Sequence, residues 1–195
     1  GGSGSTIGIS GESVVSGPEA ISGKYAQTSI TGGTFTGAIT VKAGSIAGGV
    51  FDREVALASC ASGYIPTQNA DGTYGVTGGD YVAMVGETTY NTLQAAVDAA
   101  ANGSTVVMVG NTALTKPVVV SDKTLTLNLN GWTINNESDI WDVESNAWSL
   151  ISVRGSGNLT ITGNGTLSAK ENDCYAVDVQ DENAQLAIED GTYLG

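Results

Sequence analysis

The chain contains no histidine. That removes Ser-His-Asp and Cys-His nucleophilic systems and nearly all zinc sites, because imidazole is the base in the first two and a standard ligand in the last. Basic residues are scarce too. Seven Lys and Arg against 20 Asp and Glu give a formal net charge of −13 over 195 residues. Such a surface repels phosphate backbones, so nucleic acid is not expected as a partner. The acidity keeps a long β protein soluble. Cysteine occurs only at Cys60 and Cys174, too few for a disulfide framework. Two free, buried thiols are expected, with a Cys60–Cys174 bridge as the alternative. With 3 Pro, the proline-rich signature of disorder is missing. No run approaches the ~18 apolar residues of a membrane span, so no membrane insertion is expected, and no signal-peptide pattern is read.

What is present is glycine, 28 residues of it, among frequent Thr, Ser, Asn and Val. That mixture suits many short strands separated by glycine turns. Residues 1–5, GGSGS, read as a flexible linker or cloning remnant outside the fold.

One phrase recurs. Ile30-Thr31-Gly32-Gly33-Thr34-Phe35 returns as Ile46-Ala47-Gly48-Gly49-Val50-Phe51, as Leu129-Asn130-Gly131-Trp132-Thr133-Ile134, and as Ile188-Glu189-Asp190-Gly191-Thr192-Tyr193. A slightly longer copy runs from Ile161 to Leu167. Each reads as strand, tight corner, strand. Alternation around the apolar residues sends every second side chain inward, and glycine supplies the bend. The spacings are uneven, but the intervals of 32 residues from Leu129 to Ile161 and 27 from Ile161 to Ile188 fit rungs of a solenoid that each bury an apolar face on the next. The return from Ile30 to Ile46 is short for a full rung. A β-sandwich also uses such strands.

Residues 90–103, YNTLQAAVDAAANG, differ in period. Leu93, Ala96, Val97 and Ala100 fall on one face of a helix, predicted over about 91–102, with Asn91 and Gln94 as a capping-box-like start and Gly103 as a stop. Residues 69–76, with Asp71-Gly72, and residues 81–90 read as hairpins. A helix ahead of β-rich runs covers the apolar end of a stack that would otherwise stand open. The organisation expected is therefore rungs at 6–60, a hairpin-like connector at 61–80, and a capping hairpin and helix followed by rungs at 81–195.

The stretch TLQAAVDAAANGSTVVMVGNTALTKPVVVSDKTLTLNLNGWTI resembles the entry segment of right-handed parallel β-helices of the pectate-lyase-like superfamily. More closely, the GGTF/GGTY rungs, SGYIPTQNADGTYGV and YVAMVGETTYNTLQAAV resemble modular cell-surface β-helix repeat proteins of gut Firmicutes. The resemblance covers about residues 20–195. It implies an all-β, right-handed parallel β-helix on the bacterial cell surface with a structural or adhesive role. It carries over no catalytic residue, metal or cofactor. On this view 20–60 is the tail of one module and 81–195 the head of the next. Open ends of the stack then favour head-to-tail self-association, with Ile30, Phe35, Ile188 and Tyr193 as interface residues; the alternative is a fold-back in which residues 6–51 stack on the chain's own C-terminal rung and give a compact monomer.

The alternative is a polysaccharide-active enzyme or glycan-binding module on the same fold. Trp141 and Trp148, in the interrupting segment 135–148, are expected to pack on the flank, with stacking on sugar rings as the alternative that would make them glycan-binding residues. Arg53 and Arg154 are the only arginines, and Arg154 is expected to project from a strand end into solvent. The acidic stretch 171–191, with Asp178, Asp181 and Glu182, lacks any recognised calcium pattern and reads as a solvated face. The threonine-rich strands show no steady register, which argues against a flat threonine array.

Overall fold

The computed structural model describes residues 4–141, 148–170 and 175–195. The chain is mostly strand, and most of its strands pair in parallel. It divides into two compact units, Gly1–Asp80 and Tyr81–Gly195.

In the first unit, β1 (Thr6–Ile9) and β2 (Val14–Gly23) both lie parallel to the long β3 (Gln27–Val41). On its other side β3 pairs in parallel with β4 (Ile46–Phe51). Ile9 stands on Ile30 and Ile30 on Ile46, and a parallel bridge carries Ile46 on to Cys60. A second column runs Val15, Phe35, Phe51. The short return from Ile30 to Ile46 is thus a true strand return. It is possible because Gly33 and Gly49 turn the backbone at φ 101° and 111°. A Cβ on Gly49 would lie 3.0 Å from both the Phe35 and Phe51 rings, so glycine leaves the rings room to stack at 4.9 Å. After a 3-10 turn (Leu57–Ser59), β5 (Tyr64–Gln68) and β6 (Tyr74–Gly78) form an antiparallel hairpin, and β6 pairs with β4. The hairpin turns at Gly72, where the Asp71 carboxylate accepts from the Thr73 N–H and hydroxyl.

The second unit opens with the hairpin β7 (Ala83–Val85) and β8 (Thr88–Tyr90), then α1 (Leu93–Ala99). Strands then come in groups of three: β9 (Thr105–Met108), β10 (Thr112–Ala113), β11 (Val118–Ser121), followed by β12 (Thr124–Asn128), β13 (Thr133–Asn135), β14 (Ser149–Arg154). The third group is β15 (Asn158–Thr162), β16 (Thr166–Ser168), β17 (Tyr175–Val179), and the last pair is β18 (Gln185–Ile188) and β19 (Thr192–Leu194). First members pair in parallel with first members, second with second and third with third, in three sheets, the first of which continues from β9 into the antiparallel β7–β8 hairpin. The columns are apolar: Val106, Leu127, Ile161, Ile188 in one sheet, Ile134, Leu167, Tyr193 in another, Val118, Ile151, Val177 in the third.

Two sequence readings need correcting here. The residue in register with Ile161 is Leu127, not Leu129. Leu129 instead fills the inside of the corner, fully buried, in the space a side chain at Gly165 would need, since a Cβ there would collide with the Leu129 Cβ. The threonines also align: Thr105, Thr126 and Thr160 form one column and Thr133, Thr166 and Thr192 another. The first column ends in Ala187 and is flanked by Val107 and Asn158, so the surface is not a uniform threonine array.

The helix is shorter than 91–102. Thr92 is its N-cap, accepting from the Ala95 N–H at 3.2 Å, in place of Asn91. Gln94 does not reach back to close a box. Its amide pairs with both backbone groups of Val119, tying α1 to β11. At the other end Ala100 is already extended, because Asn102 and Gly103 bond to Thr124 of the next strand. The Lys123 ammonium donates to the carbonyls of Val97, Asp98 and Ala100, each at 3.1 Å. These are the last, otherwise unpaired acceptors of the helix, where a cation is also favoured by the helix dipole. Lys123→Ala should therefore destabilise the unit by about 1–2 kcal/mol in urea melts.

Candidate functional site

Trp141 is half-buried and packs against the core of the second unit. Trp148 is also half-buried, and its carbonyl accepts from the Tyr175 N–H at the start of the β14–β17 ladder. Residues 142–147 between them lie outside the described residues. So does Cys174, the second of the two thiols expected to be free and buried; the alternative Cys60–Cys174 bridge is not made at Cys60, which is free.

Arg154 does not project freely into solvent. Its Nε donates to Ser152 Oγ at 3.0 Å, and its Nη2 is buried with no hydrogen-bond partner among the described residues. Ser152 is fully buried and stands in register with Asp178. Asp178 accepts from Ser149 Oγ at 2.9 Å and from Gln180 Nε2 at 2.7 Å. Strands β14 and β17 thus bring a guanidinium, a carboxylate, an amide and two buried hydroxyls together. Sequence reasoning missed this set because its members come from two strands that meet only through the parallel register. The two serines of the apolar run SLISVR, Ser149 and Ser152, do not by themselves announce it. A buried guanidinium nitrogen without a partner is a costly arrangement.

The other acids are occupied separately. Asp181 accepts from the Gly155 N–H at 2.6 Å, and Glu182 is exposed. No group of three or more acidic or thiol side chains suited to a metal ion is found among the described residues. Arg53 pairs with Asp52 at 3.0 Å and 3.1 Å, and Asp52 also accepts from the Gly37 N–H. The Arg53 hydrogen bonds, then the Gly37 N–H, hold the Asp52 carboxyl below its usual value. Its modest contribution to stability is present above the unfolded value and lost as pH falls through the folded one.

Cys60 is a free, buried thiol that closes the Ile9–Ile30–Ile46 column as a small apolar group. Burial pushes it up to about 11. It should resist alkylation at neutral pH in the folded protein and react on unfolding, as read by peptide mapping. Because the folded value is raised, its contribution to stability holds below the unfolded value and declines as pH rises toward about 11.

Of the four residues expected at an assembly interface, Ile188 is 50% exposed and Tyr193 is partly buried at the last strands. Ile30 and Phe35 are enclosed between neighbouring strands, at 0% and 1% exposure. Among the described residues β1 and β2, with Ile9 and Val15, pair only with β3.

Compared with family models, curated proteins and solved structures, the chain finds no match.

Proposed function

We propose that this chain is a non-enzymatic structural or adhesive module of an extracellular bacterial surface protein, built as right-handed parallel β-helix rungs. One observation carries the reading. In the second unit each return of the chain adds one strand to each of three parallel sheets, up to the last, partial return, and continues the same apolar columns. That is how a solenoid is assembled, each rung burying its face on its neighbour. The missing histidines and the resemblance of the rung motifs to modular surface proteins support the non-enzymatic, extracellular part.

The test is turnover on pectin-like and host glycans. None above background is expected. Turnover abolished by Asp178→Asn would overturn the reading.

A further inference from the structure

We propose that Asn164-Gly165, in the corner between β15 and β16, is a site of spontaneous chemical modification. There the asparagine amide is lost as ammonia and aspartate or isoaspartate is left in its place. The chain holds three Asn-Gly pairs: Asn102-Gly103, Asn130-Gly131 and Asn164-Gly165. All three carry the same intrinsic hazard. Glycine has no Cβ, so nothing shields its backbone nitrogen from the amide carbon of the preceding side chain. By sequence the three are equivalent. Their surroundings are not.

The reaction needs two free groups: the glycine N–H must give up its proton, and the asparagine amide must swing over its own backbone. At the first pair neither is free. Asn102 Oδ1 accepts from the Thr124 N–H at 2.6 Å, and the Gly103 N–H donates to the Thr124 carbonyl at 2.7 Å. At the second pair the side chain is half-buried and held, with Asn130 Nδ2 donating to the Met108 carbonyl at 3.1 Å. At the third the side chain is exposed. Neither Asn164 Nδ2 and Oδ1 nor the Gly165 N–H makes a hydrogen bond among the described residues. The first two pairs must open locally, breaking hydrogen bonds, before they react; the third need not.

In the first step base removes the Gly165 amide proton and the nitrogen attacks Asn164 Cγ. The N–Cγ bond forms, the Cγ–Nδ2 bond breaks, and Nδ2 leaves with a proton as ammonia. One water then opens the cyclic imide at either carbonyl. One opening gives aspartate. The other gives isoaspartate, whose main chain runs through Cβ and Cγ and is one carbon longer. Water is the only co-reactant.

The corner has no slack for that carbon. Before it, the Thr162 carbonyl accepts from the Leu129 N–H at 2.8 Å. After it, the Thr166 N–H donates to the Trp132 carbonyl at 3.0 Å, and the Gly165 carbonyl accepts from the Thr192 N–H at 2.8 Å. Isoaspartate therefore loosens the bonds at Thr166 and Thr192. Either product also adds a carboxylate next to the corner that carries the exposed Glu189 and Asp190.

Ageing the full chain at mildly alkaline pH, folded and in urea, followed by peptide mapping, tests the proposal. Trypsin puts the three pairs in separate peptides, 54–123, 124–154 and 155–170, since Pro117 blocks cleavage after Lys116. In the folded protein Asn164 should convert at least ~10-fold faster than Asn102 or Asn130, the factor that one hydrogen bond is worth. In urea the three rates should draw together. Asn164→Gln should remove the early acidic form on isoelectric focusing and leave the melting transition unchanged. The Thr166 and Thr192 amides should exchange faster in the isoaspartyl form, and not in Asn164→Asp, which adds the charge on a normal backbone. Equal rates at the three pairs in the folded chain, or faster conversion at Asn102 or Asn130, overturn the proposal. An Asn164 that stays intact in the folded chain yet converts in urea does the same. Unchanged exchange at Thr166 and Thr192 in the isoaspartyl form overturns the tight corner.

Discussion

Val97→Asp is expected to lower the stability of the second unit by about 3–5 kcal/mol, a shift on the order of 10–20 °C in its melting transition. Val97 is 4% exposed and sits in one core cluster with Leu93, Ala96, Ala100 and Val106. A carboxylate there finds no partner. The nearest ammonium, Lys123, already spends its three donors on the carbonyls of the same helix end. Val97→Ala, which removes packing alone, should cost only about 1–2 kcal/mol. A Val97→Asp protein melting within a degree or two of wild type would show that α1 is not packed as described.

The second large effect is expected in the first unit. Phe35 is 1% exposed, stacked on Phe51 with an interplanar angle of 12°, and stands between Val15 and Phe51 in their column. Phe35→Ala removes the middle of that column. It should cost about 3–5 kcal/mol, by lost transfer energy and by the cavity left where rigid strands cannot collapse. Phe35→Leu should cost less, since it keeps most of the volume. Urea titration with m-values checks both, and equal losses for Ala and Leu would contradict a packing origin.

Much of the local structure was legible. The helical face of Leu93, Ala96, Val97 and Ala100 follows from spacing alone, and those four are the buried ones. The glycine corners were legible because the left-handed φ at Gly33, Gly49 and Gly191 is one that other residues rarely adopt. Capping was read one residue early, at Asn91 in place of Thr92, because both neighbours can cap and Gln94 was needed elsewhere, at Val119. The Arg154 cluster was not legible at all, since Ser152 and Asp178 are neighbours only across the β14–β17 ladder.

The amino-acid sequence by itself determined the strand–corner–strand units, the single helix and the acidic, histidine-free surface, because each follows from residue type and short-range periodicity. Only the tertiary structure decided which unit stacks on which. Inter-strand register depends on how many residues each corner and loop takes up, and on what fits inside the corner. That is why Leu127 rather than Leu129 meets Ile161, and why Ile30 and Phe35 are enclosed between neighbouring strands.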